Sequence, residues 1–186
     1  MTPRGHARTA TLRPAVAPVV VAAALVLGAC ASAPRPVGDW TTGRLSVRVE
    51  ANATQAERSF AAGFELRGSD TGGELRLVTP LGTQLAWARW SPSEAVLATA
   101  DGEQRAFASL DDMALATLGE RVPLAALPDW VAGRPWSGAA SRPSSNGFEQ
   151  LGWTVDLSRQ GDGRIAARRE APPVVTVRVQ LDRAAS

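Results

Sequence analysis

Catalysis draws on a short menu of side chains, and this chain carries little of it. There is one Cys (Cys30), one His (His6), no Lys and no Tyr, so all 20 basic residues are Arg. His6 falls in a leader segment described below. The remainder therefore lacks the base of a Ser-His-Asp triad or a Cys-His dyad. It also lacks the amine of a Ser-Lys pair or Schiff base, and the imidazoles of common metal sites. Carboxylates remain, and two facing one cleft would suit a glycosidase or a calcium site. The acids, however, fall where turns and helix starts place them: Asp70, Asp101 and Asp162 in hairpin turns, Asp111 and Asp112 near a helix N-terminus. No Walker loop, G-x-G-x-x-G or G-x-S-x-G occurs, and one Cys cannot make C-x-x-C. A non-enzyme without metal or cofactor is expected.

The one chemically distinctive residue is Cys30. Residues 1–13 form a positive segment with Arg4, Arg8 and Arg13, and Val19 to Leu27 is an apolar run. That run falls short of the ~20 apolar residues a membrane-spanning helix needs and has the length of a signal-peptide core. No adjacent Arg pair precedes it, which favours the general secretory route. Leu27-Gly28-Ala29-Cys30 then resembles the lipobox of bacterial lipoproteins: an aliphatic residue, two small residues and a thiol that takes a lipid. Residues 1–29 are read as a signal peptide, and 30–39 as an acylated N-terminus followed by a Pro-rich tether from Ser32 to Asp39. Two or three acyl chains at Cys30 would anchor firmly, at ~0.8 kcal/mol per buried methylene. Ala31 stands where Asp would resemble an inner-membrane retention signal, so the outer membrane is the expected site.

Residues 40–186 make one domain with a real core. Without the leader's three Arg the balance is 17 Arg to 18 acids, so the formal +2 does not describe a basic surface and no nucleic-acid partner is expected. From Gly43 the pattern has period two. Leu45, Val47 and Val49 alternate with Arg44, Ser46 and Arg48; Phe60, Ala62, Phe64 and Leu66 repeat it, as do Leu75 and Leu77. Leu85 and Trp87 share one face of the next strand, with Ala86, Ala88 and Trp90 on the other. Shorter runs lie at 96–99 and 105–107. Leu151, Trp153, Val155 and Leu157 share a face, Ile165 and Ala167 follow, and Val175, Val177, Val179 and Leu181 close the chain. Gly-rich turns at 69–73, 101–102 and 161–163 predict antiparallel hairpins.

The break at 109–133 reads as helical. Ser109 and Asp112 form a capping-box pattern, Leu110, Met113, Ala114, Thr117 and Leu118 form one face, and Gly119 is a C-cap. Leu124, Leu127, Trp130 and Val131 make a second apolar face after Pro123, with a kink or restart expected at Pro128. Residues 134–147 read as a long mobile loop. The fold predicted from these patterns is mainly β: a single antiparallel sheet of about 9–11 strands that curls, its concave face capped by two short inserted helices over an apolar pocket. The resemblance described below makes this an unclosed half-barrel with a helical lid over a hydrophobic cavity.

Thr79-Pro80-Leu81-Gly82-Thr83 is odd for a turn, because Leu81 takes the tip. It is either folded back on the core or an apolar finger aimed at lipid or a partner. The six Trp (Trp40, Trp87, Trp90, Trp130, Trp136 and Trp153) read as core or rim residues, a pattern that a Trp facing a cavity shares.

Taken in order, the lipobox, Gly43-Arg44-Leu45, Gly73-Glu74-Leu75-Arg76-Leu77 with Thr79-Pro80-Leu81-Gly82, Val122-Pro123-Leu124 to Trp130, Gly133-Arg134-Pro135 and Gly147-Phe148-Glu149-Gln150-Leu151-Gly152-Trp153 resemble the LolB family. These are the outer-membrane lipoprotein receptors of Gram-negative bacteria. The resemblance covers nearly the whole mature chain. It implies an unclosed barrel with a lid around a hydrophobic cavity. It also implies acceptance of acylated cargo lipoproteins from the periplasmic carrier LolA and delivery of their acyl chains into outer-membrane phospholipid. The family's exposed loop leucine would be Leu81, associated with delivery rather than acceptance.

On alternation alone, the cavity candidates are Phe60, Phe64, Leu75, Trp87 and Leu97 from the wall and Leu118, Leu127 and Trp130 from the lid, with the opposite register left open. A monomer is expected. The alternatives are a scaffolding outer-membrane lipoprotein, a lipocalin-type binder of a small apolar ligand, which needs a closed barrel, and a carboxylate hydrolase.

Overall fold

The computed structural model describes residues 38–53 and 56–182. The leader, Cys30 and all of the tether before Gly38 lie outside them.

Eleven strands follow the period-two segments: β1 (Thr41–Val49), β2 (Arg58–Ser69), β3 (Gly72–Val78), β4 (Gln84–Ser91), β5 (Glu94–Thr99), β6 (Gln104–Phe107), β7 (Ser141–Ser144), β8 (Gly147–Gln150), β9 (Trp153–Asp156), β10 (Arg164–Arg169) and β11 (Val175–Leu181). They form one antiparallel sheet in the order β6-β5-β4-β3-β2-β1-β11-β10-β9-β8-β7. The chain's last strand pairs with its first, so the two meanders join in the middle, and β6 and β7 stand as the two edges of an unclosed sheet. This is the predicted half-barrel.

The helical insertion sits between those edges in sequence. α1 (Leu110–Leu118) begins at Ser109, whose Oγ accepts from the Asp112 N–H at 3.1 Å, and ends at Gly119 in the left-handed conformation, φ 71°. Leu110, Met113 and Ala114 are buried, as its periodicity requires. A 3-10 turn at Leu124–Ala126 leads into α2 (Leu127–Val131), and Pro128 lies in the first turn of α2. Proline there breaks no helical hydrogen bond, which explains the restart.

Two expectations are corrected. The predicted loop 134–147 contains β7, a short strand that carries Pro143 and pairs only with β8, as a proline in a sheet edge does. Leu151 does not continue the face of Trp153. It occupies the tip between β8 and β9 with φ 55°, followed by Gly152 at φ 77°, so β8 and β9 are a hairpin and not one long strand.

Candidate functional site

Strand register brings the inward residues of six neighbouring strands, β11 and β1 to β5, into rows. Leu45 lies between Val179 and Ala62, and Val47 between Val177 and Phe60. Phe64, Leu77, Ala86 and Thr99 form a third row across β2 to β5, and Leu66, Leu75, Ala88 and Leu97 a fourth. The lid lies across them: Met113, Thr117 and Leu118 from α1, Val122 and Leu124 from the linking turn, Leu127 and Val131 from α2. Wall and lid do not meet everywhere, and they enclose a cavity of about 310 Å³. Its lining is apolar apart from Thr99 and Thr117, and the Thr117 hydroxyl is already donated to the Met113 carbonyl at 2.7 Å. Such a space favours hydrocarbon over water, which needs several polar partners to stay. Phe60 both lines the cavity and is 37% exposed, so it marks a mouth.

Six of the eight cavity candidates line this space: Phe60, Phe64, Leu75, Leu97, Leu118 and Leu127. Trp87 and Trp130 do not, and each is placed elsewhere by its indole N–H, which seeks an acceptor when buried. In β4 the inward residues are Ala86, Ala88 and Trp90, the opposite of the face expected. Trp87 points to the outer face, donates to Glu74 Oε1 at 2.6 Å and lies under the Arg89 guanidinium. The small alanines leave the hollow that a Trp would fill.

Trp130 packs into the other half of the half-barrel. Its ring meets Phe148 edge-on, centroids 6.4 Å apart, and Trp153 at 6.1 Å. Its N–H donates to Gln150 Oε1 at 2.8 Å. Gln150 is only 2% exposed and fully bonded: Oε1 also accepts from the Trp136 N–H, and Nε2 donates to the carbonyls of Trp136 and Ala139. Trp136 in turn donates through Nε1 to Asp70 Oδ2 at 2.9 Å, tying the segment after α2 to the β2–β3 turn.

The outer face holds a buried carboxylate that composition did not reveal. Glu74, 2% exposed, accepts from Arg67 Nε and Nη2, Arg76 Nε and Nη2, and Trp87 Nε1. Both guanidiniums stack on Trp40, at 4.5 and 4.4 Å. Burial pushes the Glu74 carboxyl up, but the hydrogen bonds from Arg67, Arg76 and Trp87 and the charge of Arg76 outweigh it and hold it below its ordinary value. It is a structural ion cluster on the side of the sheet opposite the cavity.

Leu81 is the most exposed of the large apolar side chains described, at 94%. The turn is not loose: the Gly82 N–H donates to the Thr79 carbonyl, the Thr79 N–H to the Thr83 carbonyl, and the Thr83 N–H to Thr79 Oγ1. Pro80 supplies the φ of the first central position and Gly82 the left-handed residue after the turn, φ 82°. The alternative of a Leu folded onto the core is excluded by that exposure. The turn holds an apolar side chain outward in water.

A family model described as "Outer membrane lipoprotein LolB" matches residues 39–183. The chain belongs to the LolB family. The "Outer-membrane lipoprotein LolB" of Bordetella pertussis (strain Tohama I) is 34% identical over 167 residues, covering 79% of this chain and 81% of that one. The protein of that name from Ralstonia nicotianae is 32% identical over 197 residues, covering 87% and 92%, and that from Cupriavidus necator 31% over 180 residues, covering 86% and 91%. The matched region is the half-barrel and its lid together.

Sequence reading did not single out Leu45, Val47, Val177 and Val179 as cavity residues. Their inward alternation was visible, but only the pairing of β1 with β11 puts both strands in the middle of the wall.

Proposed function

We propose that this protein is an outer-membrane lipoprotein receptor, anchored through acylated Cys30 on the periplasmic side. It accepts acylated cargo from the soluble carrier LolA and releases the acyl chains into the membrane without any bond being made or broken. The observation that carries this reading is the apolar cavity of about 310 Å³ under a separate helical lid. At that size it lies at the low end of ligand pockets, so a lipid anchor enters by displacing the lid. Acyl chains leave water at ~0.8 kcal/mol per methylene, so a station that shields more of the chain than the one before draws it onward with no nucleotide. A scaffolding lipoprotein would need no such hollow.

Leu81 is assigned to delivery. It lies outside the cavity lining and on a braced turn, so its contribution comes at the membrane and not in cargo binding. Leu81→Glu is expected to take cargo from the carrier normally and to lose most delivery to vesicles, because a carboxylate does not enter hydrocarbon. Undiminished delivery by that variant refutes the assignment; failure of the wild type to bind an acyl probe refutes the receptor reading as a whole.

A further inference from the structure

The outer face of the three central strands carries a checkerboard of arginines. Across β1, β11 and β10 the register gives three successive rows: Arg44, Gln180, Arg164; Ser46, Arg178, Ala166; and Arg48, Thr176, Arg168. Four guanidiniums stand at the corners and Arg178 at the centre. The two ends of this pattern differ in charge balance. At one end Arg48 pairs with Glu57 at 2.8 Å, and Arg168 with Glu50 at 3.1 Å and Glu170 at 2.6 Å. At the other end, among the described residues, Arg44 and Arg178 have no ion-pair partner, and Arg164 donates only to the neutral Gln180 Oε1 at 2.7 Å. Arg44, Arg164 and Arg178 border an open groove floored by the small residues Ser46, Ala61 and Ala166. Arg159, held by Asp162 at 3.3 Å, completes the rim, and Asp156 is the one carboxylate in it.

This groove is continuous with the Leu81 turn. The neighbouring hollow shares Arg44, Leu45 and Ala61 with it and extends to Thr79, Pro80 and Gly82. Its own carboxylates are Asp182 and Glu65, the latter paired with Arg76 at 3.4 Å. An exposed leucine on a braced tip thus adjoins Arg44, the near end of a set of three arginines that form no ion pair among the described residues.

We propose that this face, Arg44, Arg164 and Arg178 around Ser46 and Ala166, is a docking surface for the phosphates of an anionic phospholipid membrane. It would orient the domain so that Leu81 meets the bilayer. The proposal rests on the receptor reading above, which makes a membrane the recipient. Charge complementarity identifies the occupant: guanidinium forks bind phosphate oxygens in pairs, and small residues between them let a headgroup approach. Contiguity with Leu81 selects a membrane over an acidic protein, since an apolar tip flanked by cations matches hydrocarbon flanked by headgroups.

The test uses the full acylated protein in vesicles, with Thr83→Cys carrying a fluorophore. With Cys30 acylated, that thiol is the only free one. Quenchers borne on lipid then report how often the Leu81 turn reaches the bilayer. Quenching is expected to be several-fold stronger with about a third phosphatidylglycerol than with phosphatidylcholine alone. It should fall about fivefold for each arginine removed in the series Arg44→Gln, Arg164→Gln and Arg178→Gln, and in wild type at about 0.5 M NaCl. The triple Lys variant, which keeps the charge, should retain most of it.

Equal quenching on neutral and anionic vesicles, or no change in salt, overturns the proposal even if a Gln variant fails to fold. So does a triple Gln variant that keeps its quenching but no longer receives cargo from the carrier, an outcome that assigns the face to an acidic protein. Uptake of an acyl probe is measured on the same samples. Probe uptake without charge-dependent quenching sinks the docking surface alone, and charge-dependent quenching without probe uptake sinks the receptor reading alone.

Discussion

Glu74 shows what a single buried charge does to the sheet. Its two oxygens accept from two guanidiniums and an indole, and Trp40, just before β1, covers the pair of arginines. Removing the charge strands Arg67 and Arg76 against each other, so Glu74→Gln is expected to cost about 3 kcal/mol in chemical denaturation. The folded carboxyl lies below its ordinary value of 4.5. A group depressed in this way stabilises the fold above its unfolded pKa, and that contribution is lost as pH falls through the folded value. Wild type should therefore lose stability steeply as the pH drops below about 4.5, and the Gln variant should show a shallower slope there; parallel slopes would remove Glu74 as the cause. Leu151 makes the opposite case. Held at φ 55° beside Gly152 and 47% exposed, it occupies a position that asparagine fills with less strain. Leu151→Asn should raise stability by about 1 kcal/mol; a lower melting temperature would mean that its side chain packs usefully.

At the scale of elements, the lid is held by a latch that nothing in the local sequence announces. Arg169, on β10, reaches Glu120 at 2.9 Å just after α1, and also donates to the carbonyls of Arg121 and Pro173. Both side chains are largely buried, and the Arg169 Nε has no partner, so the pair is an incompletely satisfied clasp between lid and wall. Glu120→Gln weakens it by about 2 kcal/mol while keeping its shape. Hydrogen exchange of the α1 amides should quicken, with the exchange of β1 and β11 unchanged. Unaltered α1 exchange would mean that packing alone holds the lid. The parts of this lid set by neighbours in sequence were legible: Ser109 and Gly119 cap α1, and Pro128 restarts the chain. The parts set by distant partners were not. The run Leu-Ala-Trp-Ala-Arg-Trp in β4 carries apolar residues on both faces, and the bond to Glu74 and the cover of Arg89 hold Trp87 on the outer one. Gln150 likewise draws Trp130 away from the cavity through a bond spanning 20 residues of sequence. Residues 134–147 lacked alternation because β7 is a four-residue edge strand containing a proline.

Over the whole molecule the half-barrel is built unevenly. The β8–β10 side is filled by Trp130, Phe148, Trp153, Val155 and Ile165, all buried. The β1–β5 side is lined by Ala86, Ala88 and leucines that stop short of the lid. Close packing throughout would be more stable, since an unfilled apolar volume forgoes contact energy in proportion to its size. The filled side supplies the packed core while the hollow side forgoes contact energy, and on the proposed receptor reading this division makes a prediction that separates capacity from delivery. Ala86→Phe projects a ring into the space that the cavity occupies. Because the volume is already empty, the substitution should not overpack; it should raise stability by about 1 kcal/mol, as cavity-filling changes do. Binding of an acyl probe should fall at least tenfold, and cargo should remain on the carrier. Leu81→Glu should show the reverse, with full probe binding and cargo held by the receptor but not released. An Ala86→Phe protein that is folded, more stable and still binds the probe at wild-type affinity would place the acyl chains somewhere other than beneath the lid.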